Sequence, residues 1–254
     1  MQNTSIYHDI ATRTGGDIYL GLVGPVRTGK STFIKRFMET LVIPNIEDVY
    51  ARERAKDELP QSGSGRTIMT AEPKFVPEDA VNVTLDGGVS FSVRLIDCVG
   101  YMVDGASGQF EDGAERMVAT PWFDEEVPMS RAAEEGTRRV ITDHSTIGVV
   151  MTTDGSVCGI ERESYVPAEE RVVGELREIG KPFVLVLNSA DPSGEAAQEL
   201  RAELADKYGV ACVCVNCLNL TAEDIDEILK LALYEFPIAE LGIYLPSWLD
   251  ALGA

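Results

Sequence analysis

Short β-branched runs alternate with amphipathic stretches along most of this chain. That alternation predicts an α/β fold, with a mostly parallel sheet and helices on both faces. Ile18 to Val23 is expected to be the first strand, followed by a helix from about Lys30 to Leu41. Pro44 to Thr70 is long and polar; within it Arg52 to Glu58 has the composition of a short helix, and Gln61-Ser62-Gly63-Ser64-Gly65 reads as a flexible loop. Val81 to Leu85 and Val89 to Ile96 flank Asp86-Gly87-Gly88, the pattern of an antiparallel β-hairpin. Gly100 to Pro128 is Gly-rich, acidic and aperiodic, so a loop insertion is expected there. A helix over Ser130 to His144 and a buried strand over Thr146 to Thr152 come next. Pro167 to Ile179 reads as a helix with proline at its start and Gly180 at its end. Phe183 to Leu187 and Ala211 to Val215 are expected strands, separated by a helix over Glu195 to Tyr208. Thr221 to Tyr234 is a helix with Thr221 as N-cap and Asp224 three positions on. Ile238 to Leu245 alternates in the manner of one further strand, before Pro246-Ser247-Trp248.

Composition narrows the function classes. Hydrophobic residues make up 44% of the 254, enough for a large core. The net charge is -20, from 42 acidic and 22 basic residues. Nucleic-acid binding would call for a basic face, and anionic lipid surfaces do not attract such a body, so both are disfavoured. Five cysteines are an odd number in a chain with so large a core, which argues against a disulfide framework. Cys212, Cys214 and Cys217 form a CxCxxC cluster; Cys212 and Cys214 are read as small apolar residues on one face of a buried strand, Val210 to Val215, with a metal or redox role as the alternative. Met1 to Thr14 has no signal-peptide core, and no run is long and apolar enough for a membrane span, so a cytosolic protein is expected.

The chemistry begins at Gly24-Pro25-Val26-Arg27-Thr28-Gly29-Lys30-Ser31, which fits GxxxxGK[ST] between an apolar strand and an amphipathic helix. In such a loop the backbone N–H groups wrap phosphate, the lysine reaches the β- and γ-phosphates, and the serine hydroxyl coordinates Mg²⁺. The helix start adds its positive end. Val93-Arg94-Leu95-Ile96-Asp97 ends a strand on a carboxylate, and Asp97-Cys98-Val99-Gly100 fits DxxG. A metal held by Ser31 needs a second oxygen partner, and Asp97 supplies it, directly or through water. The Gly100 amide is placed to sense the γ-phosphate. Thr70, with Thr67 as the alternative, is the candidate switch threonine for metal and γ-phosphate. This arrangement predicts a P-loop NTPase of the GTPase-like, translation-factor-related type.

Base recognition is ambiguous in the sequence. Leu185-Val186-Leu187-Asn188-Ser189-Ala190-Asp191 stands where a guanine-reading NKxD belongs, with Ser189 in place of the lysine. Asp191 could accept from guanine, or belong to the Asp-Pro-Ser-Gly turn that follows. Asn216-Cys217-Leu218 replaces the usual second guanine-reading loop. Tyr101 stands where Ras-like enzymes carry a water-orienting glutamine, which predicts slow hydrolysis or another water-positioning group. Arg27 is read as an exposed loop residue, with a contribution of charge to the phosphates as the alternative. His8, His144, Trp122 and Trp248 are read as structural. The candidate nucleotide-binding set is therefore Gly24, Arg27, Thr28, Gly29, Lys30, Ser31, Thr32, Gly100, Asn188 and Asp191. Lys30, Thr70 and Asp97 are the catalytic candidates, and Ser31, Thr70 and Asp97 the Mg²⁺ candidates.

Longer strings carry a more specific resemblance. Gly15-Gly16-Asp17-Ile18-Tyr19-Leu20 runs into the P-loop, and Asp57-Glu58-Leu59-Pro60-Gln61-Ser62 precedes Thr67-Ile68-Met69-Thr70-Ala71-Glu72-Pro73-Lys74-Phe75-Val76-Pro77. Thr120-Pro121-Trp122, His144-Ser145-Thr146-Ile147-Gly148-Val149-Val150 and Leu233-Tyr234-Glu235-Phe236-Pro237 follow. Together they resemble the N-terminal domain of the stage IV sporulation protein A family, spore-coat morphogenetic ATPases of endospore-forming bacteria. The resemblance covers essentially the whole chain. It implies ATP rather than GTP as substrate, with hydrolysis driving self-assembly into a static homopolymer, the basement layer of the spore coat. It also implies a position on the mother-cell face of the forespore outer membrane, anchoring by a small amphipathic membrane protein, and contacts with other coat proteins. Carried over residue by residue, Lys30 is the Walker A lysine, Asp97 the Walker B acid and Thr70 the switch threonine. Asp191 departs from the family's pattern and bears on nucleotide choice. Because members are about twice as long, residues 1–237 are expected to be the ATPase domain, and 238–254 a strand and the start of a linker to further domains. A GTPase switch and a structural coat module with a vestigial site are the rival readings.

Overall fold

Seven of seven residues in the strand Ile147–Thr153 are buried, as are all six in Phe183–Asn188. Strands covered on both faces read as continuous apolar runs, and such strands pair in parallel because helical crossovers cover the two faces. In the computed structural model of the chain this is what the pattern builds. The structure describes residues 14–60, 72–85, 89–106, 110–111 and 113–236, together with His8 and Thr12.

The strands are β1 (Asp17–Val23), β2 (Lys74–Leu85), β3 (Val89–Asp97), β4 (Phe110–Glu111), β5 (Ala114–Glu115), β6 (Met117–Val118), β7 (Val127–Pro128), β8 (Ile147–Thr153), β9 (Phe183–Asn188) and β10 (Cys212–Val215). The helices are α1 (Lys30–Phe37), α2 (Val49–Asp57), α3 (Met129–Arg139), α4 (Val166–Glu178), α5 (Glu195–Tyr208) and α6 (Ala222–Tyr234). Six strands form one sheet in the order β10-β9-β8-β1-β3-β2. All neighbours pair in parallel except β2 and β3, which are antiparallel. Alternate residues of β1 and β8 feed two apolar layers. Ile18, Leu20, Leu22, Val149 and Met151 pack with Phe33 of α1 and Ile228 of α6. Val23 and Val150 pack on the other face with Met129 of α3, Val172 of α4 and Leu204 of α5. No helix among the described residues is long and apolar enough to cross a membrane.

Several expectations need adjustment. The first hairpin strand starts at Lys74, not Val81, and carries Pro77 through a register shift between Val76 and Val81. A proline is tolerated there because β2 is the sheet's edge strand. The expected loop over Gly100 to Pro128 contains two small ribbons, β4–β5 and β6–β7. The helices expected to reach Leu41 and His144 end at Phe37 and Arg139 and continue as single wider π-helical turns, Met38–Val42 and Val140–His144. At α6 the capping box is complete: Thr221 Oγ1 accepts from Asp224 N at 3.2 Å and Asp224 Oδ2 from Thr221 N at 2.8 Å. The hairpin tip, Thr67 and Thr70, Trp248 and the strand expected at Ile238 to Leu245 lie outside the described residues.

Candidate active site

Parallel pairing of β1 with β3 sets Leu22 opposite Asp97, so the loop leaving β1 and the acid ending β3 emerge side by side. Open α/β sheets bind ligands at this carboxyl edge. Gly24 has φ 134°, and a Cβ there would meet the Met151 carbonyl oxygen at 2.2 Å; Gly29, at φ 96°, immediately precedes α1. The N–H groups at the start of α1, on Lys30, Ser31 and Thr32, have no partner within their own helix. Thr28 is buried and closes the loop by donating to the Pro25 carbonyl at 3.0 Å.

Lys30 is buried, and its Nζ donates to the Pro25 carbonyl at 2.6 Å. Burial lowers its pKa against the pull of Asp97, with the Arg27 charge adding to the lowering. A partly dehydrated ammonium held at a loop mouth is poised to exchange carbonyl contacts for anionic oxygens. Ser31 Oγ donates to Asp97 Oδ2 at 2.6 Å, while Asp97 Oδ1 is buried with no hydrogen-bond partner among the described residues. Burial raises the Asp97 pKa against the hydrogen bond from Ser31 and the charge of Lys30. A hydroxyl touching a carboxylate whose second oxygen is uncommitted suits a hard divalent cation. Among the described residues there is no cluster of three or more metal-ligating side chains. Mg²⁺ in phosphate sites needs only one or two protein ligands beside the substrate's oxygens, so the donor set fits.

Arg27 is not the exposed residue expected. It is half-buried with φ 65°, the one positive-φ non-glycine among the described residues. Such conformations cost of order 1–3 kcal/mol and persist where surrounding structure imposes them.

Tyr101 is anchored on α4. It is buried, its hydroxyl donates to Glu175, and the Arg171 guanidinium lies 4.4 Å from its ring centroid. The hydroxyl at the position where Ras-like enzymes carry glutamine is thus committed to Glu175.

Asn188 is a brace between loops. Its Nδ2 donates to the Thr28 carbonyl at 3.0 Å, and its Oδ1 accepts from Cys217 N at 3.1 Å. Asp191 is exposed and accepts from Ser193 Oγ at 3.0 Å in the turn before α5. Cys212 and Cys217 are buried and all three thiols of the cluster are free. Cys212 and Cys214 pack in one apolar layer, as expected for one face of the strand, and Cys217 packs in the other. Burial pushes Cys212 up to about 12 and Cys214 up to about 11.

The family model for the Stage IV sporulation protein A ATPase domain matches residues 1–237. Over 250 residues the chain is 54% identical to Stage IV sporulation protein A of Clostridioides difficile (strain 630), taking in 98% of this chain and 51% of that protein. It is 52% identical over 252 residues to the proteins of the same name from Bacillus anthracis and from Bacillus subtilis (strain 168), covering 99% of this chain and 51% of each. The chain belongs to the stage IV sporulation protein A family. It spans about half the length of these relatives.

Within this family member, one loop at the carboxyl edge carries polar contacts that motif reading missed. Thr153-Asp154-Gly155-Ser156 leaves β8, and Asp154 Oδ1 accepts from Ser156 N at 2.9 Å. Ser156 Oγ in turn accepts from Ala190 N at 2.9 Å, tying the loop to the segment after Asn188. Burial opposes the Asp154 charge, but hydrogen bonds from Ser156 and Ser189 hold the carboxyl below its ordinary range. The signal was present as an Asp-Gly turn directly after a buried parallel strand. The remaining candidates divide into two groups. Gly24, Thr28, Gly29, Lys30, Ser31, Asp97 and Gly100 come together around the P-loop, and Asn188 joins them to the base-side loops.

Removing the Asn188 amide is expected to destabilise the fold. Asn188→Ala leaves a buried carbonyl and a buried N–H unpaired, a cost of about 2–3 kcal/mol. Thermal unfolding would register this as a drop of several degrees in Tm. Asn188→Asp keeps an acceptor for Cys217 N but sets a buried charge against the Thr28 carbonyl, so it should be destabilised as well; wild-type stability in both variants would remove the bracing role.

Proposed function

We propose that this chain binds ATP and hydrolyses its β–γ anhydride, by a P-loop site of the GTPase-like type. The observation that carries the reading is the juxtaposition of Lys30, Ser31 and Asp97 at one loop mouth, with Ser31 Oγ and Asp97 Oδ2 2.6 Å apart. The strand order β10-β9-β8-β1-β3-β2, with one antiparallel edge pair, supports the translation-factor-like wiring. In this reading the α1 amides and Lys30 hold the phosphates, Asn188 fixes the base-side loop against Thr28, and Gly100 closes the γ-phosphate end. Ser31 and Asp97 hold Mg²⁺, with Thr70 as a further ligand. When bound, that ion withdraws negative charge from the transferring phosphoryl group. Water is the acceptor.

Family membership supports a role in sporulation. We further propose that hydrolysis drives polymerisation of the whole protein into the basement layer of the spore coat, on the mother-cell face of the forespore outer membrane. A small amphipathic anchor and other coat proteins are its proposed partners. Residues 1–237 are the proposed ATPase domain, with 238–254 leading toward further domains.

A GTPase is the second reading, favoured by Asp191 alone. Ser189 and the Asn216-Cys217-Leu218 loop lack the groups that reward guanine, and Asp191 is engaged by Ser193. Competition binding is expected to rank ATP above GTP in the wild type, with Asp191→Ala unchanged. Tighter GTP binding that disappears in Asp191→Ala would make this a GTPase. Absence of turnover with either nucleotide, with and without Mg²⁺, would leave a vestigial site.

A further inference from the structure

We propose that Tyr101 is a positioning residue for the γ-phosphate end of the site, latching the Asp97–Gly100 turn onto the P-loop through its hydrogen bond to Glu175. The inference rests on the nucleotide-site reading above and extends it to a side chain outside the P-loop motifs.

Tyr101 is stitched to the P-loop along its backbone. Its N–H donates to the Gly24 carbonyl at 3.3 Å, and its carbonyl accepts from Val26 N at 2.9 Å. These contacts hold the preceding Gly100 so close that a Cβ there would meet the Gly24 carbonyl oxygen at 2.1 Å and Lys30 Nζ at 2.7 Å. Gly100 has φ 93°, so no other residue fits either the space or the backbone. The turn thus sits at the tip of the Lys30 side chain, where the terminal phosphate would lie.

Two backbone hydrogen bonds between buried residues tie the turn to the loop it faces, and to nothing outside that loop. The Tyr101 side chain supplies the anchor they lack. Its hydroxyl donates to Glu175 on α4, and Arg171 stacks over its ring. Arg171 pairs with Glu175 at 3.2 Å and with Glu134 of α3 at 2.8 Å. The turn is therefore fixed by two helices that take no part in the phosphate loop. A group acting in this way changes the fraction of molecules in which the turn is already placed. Apparent affinity falls by that fraction for a ligand that needs the placed state, and is unchanged for one that does not. A triphosphate reaches the turn; a diphosphate does not.

The test measures affinities of the 254-residue chain for ADP and for a β,γ-non-hydrolysable ATP analogue, with Mg²⁺ present. Tyr101→Phe keeps the ring and deletes the hydroxyl; Glu175→Leu deletes the acceptor; Glu175→Gln keeps an acceptor. Tyr101→Phe and Glu175→Leu are each expected to weaken analogue binding about five- to tenfold, the scale of one hydrogen bond's net contribution. ADP affinity should change less than about twofold. The double variant should be no worse than either single one, and Glu175→Gln should behave as wild type. Unchanged analogue affinity in both single variants overturns the latch. Equal losses for ADP and the analogue overturn it too, since they would mark a general structural role. If the wild type binds neither nucleotide, the nucleotide-site reading itself falls, and this inference with it.

Discussion

Lys30→Ala is expected to lower ATP turnover by at least about 100-fold, the usual cost of removing one preorganised electrostatic contact to transferring charge. The side chain makes no contribution that alanine could imitate. Its Nζ sits on the Pro25 carbonyl, beside the Gly100 backbone, and it is the buried cation of the Gly24–Ser31 loop. The fold should survive the change. The aliphatic stem is buried, which costs packing, but the same substitution removes an ammonium whose pKa burial has lowered. That lowering has a sign that can be checked. Between the lowered native pKa and the ordinary lysine value, the unfolded chain holds a proton that the native state has lost. Wild-type stability therefore gains from rising pH across that window. The alanine variant lacks this gain, so the stability difference between the two proteins should shift toward the wild type as pH rises. Turnover near the wild-type rate after removal of contaminating ATPases would displace Lys30 from the site.

The parts of this site that were legible in the sequence are those where chemistry dictates the backbone. GxxxxGK[ST] after an apolar strand requires a loop of this shape, and the carboxylate ending Val93 to Asp97 follows from strand length and the DxxG turn. Parallel register then brought Ser31 and Asp97 together across sixty-six positions of sequence. Tyr101 was legible only as a missing glutamine, because the direction of its side chain depends on Glu175, supplied by a helix far along the chain. Asn188 looked like a base reader for the same reason: its partners, Thr28 and Cys217, are backbone groups that no side-chain pattern announces. Arg27 carried no local sign of the left-handed backbone it adopts, since glycine would be the expected residue there. Pro77 concealed the first half of β2, because proline ordinarily ends a strand and only the edge position permits it.

Asp97 sets the opposite balance, in which function costs stability. Asp97→Asn is expected to reduce ATP turnover by about 100-fold or more, because a neutral amide is a poor partner for a divalent cation and does not complete the charge arrangement around the phosphates. Nucleotide binding should suffer much less, since the α1 amides and Lys30 are untouched. The nucleotide-free protein, however, should become as stable as the wild type or more so at neutral pH. The introduced amide keeps an oxygen to accept from Ser31 Oγ, and the uncommitted second atom remains buried in either protein; what disappears is the desolvated charge. Because burial raises the Asp97 pKa, the native state retains a proton that the unfolded chain has already released. Wild-type stability therefore falls as pH climbs from the ordinary carboxylate range through the raised value. An asparagine side chain does not titrate, so the Tm difference should move in the variant's favour from about pH 4 upward and level off above the raised pKa. Thermal unfolding of both proteins without nucleotide across that range, beside turnover at neutral pH, tests the two halves together. A variant that loses several degrees of Tm at neutral pH yet still hydrolyses ATP normally would show that Asp97 holds the fold together and not the cation.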